Sequence, residues 1–324
     1  MIKVGIVGYG NLGRGVRLAV EKAPDMECVG IFTRRAPETV KPVIDTPVYS
    51  FSDMENFVGK IDVMILCGGS ATDLPELTKK VLKNFNTVDS FDTHAKIPEY
   101  FTNLDAVAKE SGKLSLISVG WDPGLFSIAR MLFGAVLPDG NDYTFWGRGV
   151  SQGHSDAIRR IDGVKNGIQY TIPKEDALLS VRNGDNPVLS TKEKHLRECF
   201  VVLEDGADKD LVEKTIKEMP NYFADYDTVV HFISEEELKE KHSKLPHGGF
   251  VLRSGNTTEE NKHLLELSIK LDSNPEFTGS VVTAYARATA KMAKEGKIGA
   301  ITAFDIPLGY LSEKSPEELR KNLL

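Results

Sequence analysis

The sequence predicts an α/β protein of two domains, the first of which contains a parallel β-sheet. The chain has 324 residues, whereas single domains usually have about 100–200 residues. In its first third, short apolar runs alternate with helical patterns, as they do in βαβ units. From about Thr144, alternating strands are separated by polar loops and short acidic helices. This second pattern is typical of an α+β domain with a mixed, mostly antiparallel sheet.

The first domain is predicted to contain five strands and three helices. The strands are expected at residues 3–7, 28–32, 62–67, 87–90 and 114–119. The helices are expected at residues 12–22, 74–83 and 98–111. Each strand is followed by a small or polar loop, and open α/β sheets bind ligands beyond the carboxyl ends of their strands. A ligand site is therefore predicted in these loops.

The second domain is predicted to follow with strands at residues 144–146, 167–172, 198–203, 228–233 and 264–271. A long helix at residues 278–296 is rich in alanine and other helix formers, and packing back on the first domain is one option for it. The boundaries are placed at residues 1–122 for the first domain and 123–296 for the second. The C-terminal segment 297–324 is expected to pack on the first domain.

Composition and charge exclude several classes of protein. Hydrophobic residues make up 41% of the chain and charged residues 27%, as in ordinary globular proteins. The net charge of −7 argues against a nucleic-acid binder, because phosphate contacts need a basic face. The apolar run at residues 63–67 is far shorter than the roughly 20 residues of a membrane span, and Met1 leads into a strand pattern without a signal peptide. We expect a cytoplasmic protein with neither a membrane nor a nucleic acid as partner.

The cysteines give no sign of a metal site. Cys28, Cys67 and Cys199 stand singly in apolar segments, without C-x-x-C or another ligand spacing. We expect all three to be reduced and buried, and no metal site is predicted. Neither H-E-x-x-H nor G-x-S-x-G occurs, so the sequence has no motif for zinc-dependent or acyl-enzyme chemistry.

A glycine-rich turn lies between the first strand and the first helix, where a dinucleotide-binding G-x-G-x-x-G fingerprint is expected. The turn reads Gly8-Tyr9-Gly10-Asn11-Leu12-Gly13. Its glycines permit a tight turn and let the backbone approach a pyrophosphate, whose charge is met by the helix N-terminus. The alternative is a glycine-rich turn without a ligand. The context of the motif favours a Rossmann-type dinucleotide-binding domain at residues 1–122.

The end of the second strand indicates which dinucleotide is bound. NAD-binding sites usually have an acidic residue there for the ribose hydroxyls, but this strand runs into Thr33, Arg34 and Arg35. Two guanidiniums and a hydroxyl suit a 2′-phosphate, which accepts charge-assisted hydrogen bonds. Two surface arginines without a ligand are the alternative. The sequence thus predicts NADP as cofactor and an oxidoreductase as the class of protein.

Two aspartates follow the fourth and fifth strands, at the edge where the ligand is expected. Asp92 lies in the segment 89–94, and Asp122 precedes Pro123 in the segment 120–124. A pair of carboxylates beside a nicotinamide suits a substrate with an ammonium group. The alternative for each aspartate is a structural cap, and Pro123 is of the type favoured at the first position of a helix.

The second domain offers polar side chains without a recognisable catalytic spacing. They are Trp146, Gln152, His154, Asp156, Thr171, Arg197 and His247. Arg197 begins an apolar strand, where a cation can reach a carboxylate, but a solvated strand-end arginine is the interpretation that the pattern alone favours. His247 lies in a predicted loop at residues 246–249, whose glycines either bring the backbone close to a ligand or form a simple turn.

Several motifs together carry a resemblance to a known family. They are residues 7–15, 89–94 and 120–124 in the first domain and residues 145–147, 151–156 and 246–249 in the second. In these motifs, and over residues 1 to about 310, the sequence resembles the meso-diaminopimelate dehydrogenases. The resemblance implies reversible, NADP-dependent oxidative deamination of the D-centre of meso-2,6-diaminopimelate to L-2-amino-6-oxopimelate, ammonia and NADPH. It also implies a role in the synthesis of lysine and cell-wall precursors, and a homodimer formed through the second domain.

The resemblance implies two sets of ligand-binding residues. The cofactor is expected to contact Gly8, Gly10, Asn11, Leu12, Gly13, Thr33, Arg34, Arg35, Cys67, Gly68, Gly69, Ser70, Ser90, Phe91, Asp92, Val119, Gly120, Trp121, Asp122 and Pro123. The substrate is expected to contact Asp92, Asp122, Trp146, Gln152, Gly153, Asp156, Thr171, Arg197, His247 and Asn274.

Our mechanistic hypothesis assigns roles within these sets. Asp92 and Asp122 hold the reacting amine, and Asp122 takes the proton that leaves it before hydride transfer. Arg197, Thr171 and His247 bind the distal carboxylate at the L-centre, since a guanidinium matches the planar fork of a carboxylate. Two other functions stay open on the sequence: an NADP-dependent reductase of the same two-domain plan, such as a dihydrodipicolinate reductase, and a catalytically silent redox sensor that binds NADP(H).

Overall fold

The structure is a computed structural model that describes residues 1–70 and 72–324. The chain divides into two compact units. The first unit consists of Met1–Ile128 and Pro275–Leu324, and the second consists of Ala129–Asn274. The α/β class with a parallel sheet in one part and a mixed, mostly antiparallel arrangement in the other is confirmed.

Parallel strands form the sheet of the first unit. Among the described residues the sheet has seven strands, in the order β14-β6-β5-β4-β1-β2-β3. The strands are β1 (Ile2–Val7), β2 (Met26–Thr33), β3 (Val48–Ser50), β4 (Val63–Leu66), β5 (Thr87–Asp89), β6 (Leu114–Leu116) and β14 (Gly299–Ile301). The carboxyl ends of all these strands therefore lie along one edge of the sheet, where the predicted ligand loops follow.

Helices cover both faces of this sheet, because its strands are apolar on both sides. In β4, Val63 and Ile65 join a core cluster with side chains of the first and the tenth helix. Met64 and Leu66 join a second cluster with side chains of the second and third helices. This alternation is what the two-residue period of a strand produces. The helices are α1 (Asn11–Glu21), α2 (Leu74–Leu82), α3 (Ile97–Ser111), α4 (Leu125–Val136), which ends in the second unit, α10 (Asn274–Lys294) and α11 (Pro316–Leu323).

Helix α10 packs closely on α1. A Cβ atom on Gly15 would lie 2.5 Å from the carbonyl oxygen of Pro275, and one on Gly279 would lie 2.4 Å from the carbonyl carbon of Gly15. Farther along α10, the buried Arg287 forms two hydrogen bonds with the carboxylate of Asp25, at 2.7 and 2.8 Å. These contacts explain why the long helix belongs to the first unit.

The second unit has two sheets among its described residues. A four-stranded sheet has the order β11-β10-β9-β8, with only the β10–β11 pair parallel, and a three-stranded antiparallel sheet has the order β13-β12-β7. The strands are β7 (Gly140–Trp146), β8 (Gly149–Val150), β9 (Val164–Pro173), β10 (His195–Leu203), β11 (Asp227–Phe232), β12 (His247–Asn256) and β13 (Lys262–Leu271). The helices are α5 (Gln152–Arg159), α6 (Glu175–Arg182), α7 (Thr191–Lys194), α8 (Lys209–Lys217) and α9 (Glu235–Lys241).

The structure differs from the sequence-based expectations at several places. The first unit contains two strands that were not predicted, β3 and β14, each of only three residues. The predicted loop at residues 246–249 is wrong, because β12 starts at His247 and pairs with both β7 and β13. The units divide after residues 128 and 274, whereas the predicted boundaries follow residues 122 and 296. The boundary at residue 274 lies before the predicted one at residue 296 because α10 packs on α1.

Candidate active site

The three glycines of the G-x-G-x-x-G turn have three different structural roles. Gly8 has a φ of +90°, which favours glycine, and its amide donates to the carbonyl of Phe32 at 2.9 Å. Gly13 packs against the turn, since a Cβ atom there would lie 2.4 Å from the carbonyl oxygen of Gly8. At Gly10, the N-cap of α1, a Cβ atom would have no heavy atom of the described residues within 4 Å, apart from those of its chain neighbours. The space over Gly10 and the free amides of the helix start fit a pyrophosphate.

The residues after β2 place two guanidiniums near the same edge. Arg35 donates from Nη2 to the carbonyl of Tyr9 at 2.8 Å, and its amide donates to the hydroxyl of the buried Thr33 at 3.1 Å. The side chain of Arg34 is 65% exposed, so most of its five donors face solvent. This arrangement can meet a phosphate with charge-assisted hydrogen bonds.

An acid pairs with Arg34, although none follows β2 in the sequence. Nη2 of Arg34 donates to the carboxylate of Asp73 at 2.6 Å, and the other carboxylate oxygen of Asp73 accepts the amide of Gly69 at 3.0 Å. The hydrogen bond from Arg34 lowers the pKa of Asp73 below its usual value. The ion pair therefore holds the loop after β4 beside the loop after β2, a contact that strand-end reasoning missed.

The loops after β4 and β5 are joined through a serine. The hydroxyl of Ser70 accepts a hydrogen bond from the amide of Asp92 at 2.8 Å and lies 3.3 Å from the hydroxyl of Thr93.

The thiol of Cys67 is a poor nucleophile, because burial raises its pKa. The cysteines are unpaired, as expected; Cys199 is fully buried, whereas Cys28 and Cys67 are only half-buried.

Asp92 and Asp122 follow β5 and β6, which are neighbours in the sheet. Asp92 is exposed and Asp122 is half-buried. Asp122 lies in a tight turn in which the amide of Gly120 donates to the carbonyl of Pro123 at 2.8 Å. Because α4 begins only at Leu125, Pro123 does not start a helix, and that structural explanation of the Asp-Pro pair is wrong.

One buried carboxylate that contacts these loops was not among the site residues predicted from the sequence. Asp89, the last residue of β5, is fully buried and accepts backbone amides from the loops that carry Asp92 and Asp122. Its position at a strand end was a usable signal, but the sequence does not reveal that its side chain turns inward.

Arg197 is the central feature of the second unit. It is 7% exposed, which contradicts the expectation of a solvated strand-end arginine. Its guanidinium donates to the hydroxyl of Thr171 and lies 3.9 Å from the centre of the Tyr226 ring, while Nε has no hydrogen-bond partner among the described residues. A buried cation is costly unless an anion compensates it. The geometry therefore provides a binding position for a carboxylate.

Trp146 stands beside a neutral histidine. Nε2 of His195 accepts the amide of Trp146 at 2.9 Å, and the imidazole stacks on the indole with 5.3 Å between ring centres. Burial, together with the charges of Arg197 and Lys194, lowers the pKa of His195 to about 3. His195 was not selected from the sequence, because nothing in the pattern relates it to Trp146.

The start of α5 presents its predicted substrate residues to solvent. Gln152 and Gly153 are exposed. His154 is held by a 2.6 Å hydrogen bond between its Nδ1 and the hydroxyl of Ser151, and burial, followed by the charge of Arg197, lowers its pKa to about 4. The carboxylate of Asp156 is already paired with Arg159.

The remaining predicted substrate residues lie near the start of β12 and of α10. Nδ1 of His247 lies 2.8 Å from the amide nitrogen of Gly248 and 3.1 Å from the carbonyl oxygen of the same residue. Gly149 lies directly against this histidine, since a Cβ atom there would be 2.5 Å from the Cα atom of His247. The amide of Asn274 donates to the carbonyl of Leu245 at 2.9 Å.

Residues 1–70 and 72–324 contain neither a candidate metal site nor a candidate membrane span. Their His, Cys, Asp and Glu side chains include no group of three or more that is arranged to hold a metal ion. None of the helices in this part of the chain combines the length and apolarity of a membrane span.

The parallel sheet, its glycine turn and the carboxylates at its strand ends define a dinucleotide-dependent oxidoreductase. The chain is 62% identical to a meso-diaminopimelate D-dehydrogenase of Ureibacillus thermosphaericus, over 100% of this chain and 99% of the relative. It is 61% identical to the enzyme of the same name from Lysinibacillus sphaericus, with the same coverage. The chain belongs to the meso-diaminopimelate D-dehydrogenase family.

A domain model and solved structures agree with this membership. Residues 120–273 match the model of the diaminopimelic acid dehydrogenase C-terminal domain. A sixfold mutant of the Clostridium tetani E88 enzyme with DAP has a TM-score of 0.95 and 54% identity, with 100% of both chains covered. The C. glutamicum DAP dehydrogenase in complex with DAP has a TM-score of 0.94 and 43% identity, covering 100% of this chain and 99% of that one. An engineered D-amino acid dehydrogenase bound to NADP⁺ has a TM-score of 0.89 and 42% identity, with the same coverage.

Proposed function

We propose that this chain catalyses the reversible oxidative deamination of meso-2,6-diaminopimelate at its D-centre. The products are L-2-amino-6-oxopimelate, ammonia and NADPH, and the reaction serves the synthesis of lysine and cell-wall precursors. Family membership supports the reaction, and the DAP-containing structures of similar enzymes support the substrate. The observation that carries the proposal is Arg197, a buried cation without a carboxylate partner among the described residues. A substrate with a carboxylate far from its reacting amine satisfies this cation.

The first unit is assigned to the cofactor NADP⁺. When bound, the nicotinamide supplies the hydride acceptor. The amides at the start of α1 would hold the pyrophosphate of the cofactor, and the loops after β4, β5 and β6 would line the rest of it. Thr33, Arg34 and Arg35 would hold the 2′-phosphate, and Asp73 fixes the direction of the Arg34 guanidinium. A similar engineered dehydrogenase is bound to NADP⁺, which supports this choice.

The 2′-phosphate assignment makes a prediction about cofactor preference. A charge-assisted hydrogen bond contributes about 1.5–3 kcal/mol, or roughly tenfold to a hundredfold in binding. We expect kcat/KM for NADP⁺ to exceed that for NAD⁺ by at least about this factor. Replacing Arg34 and Arg35 with alanine should remove most of the preference. A wild-type ratio near one would contradict the assignment.

The second unit is assigned to the distal, L-configured end of the substrate. Arg197 and Thr171 bind its carboxylate, and the imidazole of His247 donates a further hydrogen bond. Support comes from the C. tetani mutant, whose six substituted residue types recur here in the same order and at the same spacing along the chain. In this sequence they are Gln152, Thr171, Arg197, Pro246, His247 and Asn274.

The reacting end is assigned to the two aspartates of the first unit. Asp92 and Asp122 bind the ammonium group, and Asp122 accepts a proton so that the amine is neutral when hydride leaves the carbon. Trp146, Gln152, Gly153 and Asn274 line the remainder of the substrate. Asp156 contributes less than expected from the sequence, because its carboxylate is paired with Arg159.

We also propose a cytoplasmic homodimer formed through the second unit. Unpaired cysteines fit a reducing compartment, and NADP-dependent synthesis of amino acids takes place there. Light scattering coupled to size-exclusion chromatography tests the dimer, and a monomer mass at micromolar concentration would contradict it.

A turnover assay distinguishes the proposed enzyme from a sensor that binds NADP(H) without catalysing a reaction. The purified chain is mixed with meso-diaminopimelate and NADP⁺, and NADPH absorbance is followed. We expect continuous NADPH formation together with release of ammonia. Binding of NADP⁺ without NADPH formation would contradict the proposed reaction and favour the sensor.

A further inference from the structure

We propose that Asp89 is a positioning residue that holds Asp92 and Asp122 at their places through the backbone of their loops. This inference rests on the proposed function, because it assumes that these two aspartates contact the reacting amine. Asp89 does not reach the edge where the ligand binds, since its side chain is fully buried.

The carboxylate of Asp89 joins the two loops directly. Its Oδ1 accepts the amide of Phe91 at 3.0 Å, in the loop that carries Asp92, and the amide of Ser118 at 3.0 Å, in the loop that leads to Asp122. The carbonyl of Asp89 also accepts the amide of Val119 at 3.0 Å. The side-chain Oδ1 and the main-chain carbonyl of Asp89 thus together fix the distance between the backbones that follow β5 and β6.

The contact with Ser118 stabilises an unfavourable backbone conformation. Ser118 has a φ of +57°, in the left-handed region that residues with a side chain rarely adopt. Such conformations persist where the surroundings determine them, and they concentrate at functional sites. The hydrogen bond from Ser118 to Asp89 holds this conformation four residues before Asp122.

A second layer fixes the direction of the carboxylate. Oδ2 of Asp89 accepts the hydroxyl of Tyr100 at 2.7 Å, and this hydroxyl lies 2.8 Å from that of the buried Thr78. The ring of Tyr100 also stacks on Phe91, with 4.1 Å between ring centres. Helices α2 and α3 therefore orient Asp89, and Asp89 in turn orients the two loops. The arrangement resembles the outer hydrogen bonds that orient catalytic groups in other sites.

Replacement of Asp89 by alanine tests the inference, with kcat expressed per folded molecule from an NADP⁺-binding titration. We expect kcat to fall by about tenfold to a hundredfold, as misplacement of reacting groups by an ångström does. Asp89→Asn keeps an acceptor for both amides and should recover most of the loss. Asp105→Ala is the matched control, because Asp105 accepts the amide of Ala300 at 3.0 Å in the same unit but lies outside these loops. Its kcat should stay within twofold of the wild type.

A double-mutant cycle separates positioning from a general loss of stability. If Asp89 acts through Asp92 and Asp122, then Asp89→Ala should lower kcat by a smaller factor when Asp122 is already asparagine than in the wild type. A full, additive loss in that background would overturn the inference, as would a kcat of Asp89→Ala within threefold of the wild type. If Asp89→Ala does not fold, Tyr100→Phe takes its place. That variant keeps the stacked ring, and an unchanged kcat for it would overturn the inference.

Amide hydrogen exchange distinguishes failure of this inference from failure of the proposed function. A wild-type chain that forms no NADPH contradicts the proposed reaction and leaves the loop contacts to be measured directly. The amides of Phe91 and Ser118 should exchange slowly in the wild type and in Asp105→Ala, and faster in Asp89→Ala. Equal exchange in all three proteins would overturn the positioning role.

Discussion

At the scale of single residues, the surroundings of Arg197 distinguish this site from an ordinary strand end. Among the described residues, the buried guanidinium of Arg197 contacts Thr171 and Tyr226 and forms no ion pair with a carboxylate, so its charge is not fully compensated. A bound carboxylate compensates the charge of Arg197, whereas a substrate without a distal carboxylate leaves that charge uncompensated. We therefore propose that Arg197 makes the enzyme specific for a dicarboxylate, without any contact at the reacting carbon.

Arg197→Met tests this account of specificity. Methionine keeps much of the volume but removes the charge, so kcat/KM for meso-diaminopimelate should fall by roughly a hundredfold, while that for D-alanine should change little or rise. Arg148→Met is the control, because Arg148 is exposed and paired with Glu198. Steady-state kinetics with both substrates measure the ratio. Unchanged selectivity in Arg197→Met would place the distal carboxylate elsewhere.

Asp122→Asn tests the proton acceptor. A general base contributes about 10²- to 10⁴-fold, and we expect kcat/KM to fall within that range while binding of NADP⁺ is retained. The exposed Asp53 is far from the glycine turn in sequence and lies in a short helical turn, so Asp53→Asn should retain wild-type kinetics. A loss smaller than tenfold in Asp122→Asn would give this aspartate a structural role instead.

At the scale of elements, two glycines of the turn between β1 and α1 have different roles. Gly13 contributes to stability, whereas Gly10 leaves space for the proposed cofactor. Gly13→Ala forces a Cβ atom against the carbonyl of Gly8, and it should lower the free energy of unfolding by about 1–3 kcal/mol. Gly10→Ala meets no neighbouring atom, so the free energy of unfolding should change by less than about 0.5 kcal/mol. The new methyl group nevertheless occupies the space over the helix start and should weaken NADP⁺ binding at least about tenfold, or 1.4 kcal/mol.

Denaturant unfolding and fluorescence titration of NADP⁺ measure both effects of these glycine variants. The two proteins serve as controls for each other, because only Gly10→Ala keeps normal stability. Normal NADP⁺ affinity in Gly10→Ala would show that the pyrophosphate lies elsewhere.

Elements with long apolar patterns could be predicted from the sequence, whereas short ones could not. β4 is apolar along its whole length, and in β1 only Lys3 is exposed, so the pattern of these strands is sufficient. The three-residue edge strands β3 and β14 carry too little pattern, and their pairing depends on β2 and β6. β12 starts with His247 and two glycines, which predict a turn, but those glycines allow close approach of both neighbouring strands.

The same limit applies to the site. The glycine turn and the arginines after β2 could be predicted from the sequence, because the residues of each motif are adjacent along the chain. Burial of Arg197 depends on Thr171 from β9 and on Tyr226, and the role of Asp89 depends on two loops about 30 residues apart. Such contacts arise from the fold and leave no local pattern.

At the scale of the whole molecule, the buried His195 and the half-buried His154 make stability dependent on pH. Their pKa values are lowered from 6.5 to about 3 for His195 and about 4 for His154, chiefly by burial. Below pH 6.5 the unfolded chain takes up protons that the folded chain does not, so stability must fall as pH is lowered from about 6.5 towards 4. Each histidine should contribute about 1 kcal/mol per pH unit in this window.

Urea denaturation at several pH values between 7 and 5 measures this dependence. His195→Phe should be less stable than the wild type at pH 7, because the amide of Trp146 loses its acceptor. Its stability should nevertheless fall less steeply as pH is lowered. A pH slope equal to that of the wild type would show that His195 is protonated in the folded protein.

The proposed enzyme oxidises a D-centre with a site that recognises the L-centre at the other end of the substrate. NADPH formation with the meso, LL and DD isomers of diaminopimelate tests this reaction in one measurement. We expect rapid NADPH formation with the meso isomer, none with LL, and at least about a hundredfold lower kcat/KM with DD, whose distal centre has the wrong configuration. Oxidation of the LL isomer at a rate comparable to that of the meso isomer would contradict it.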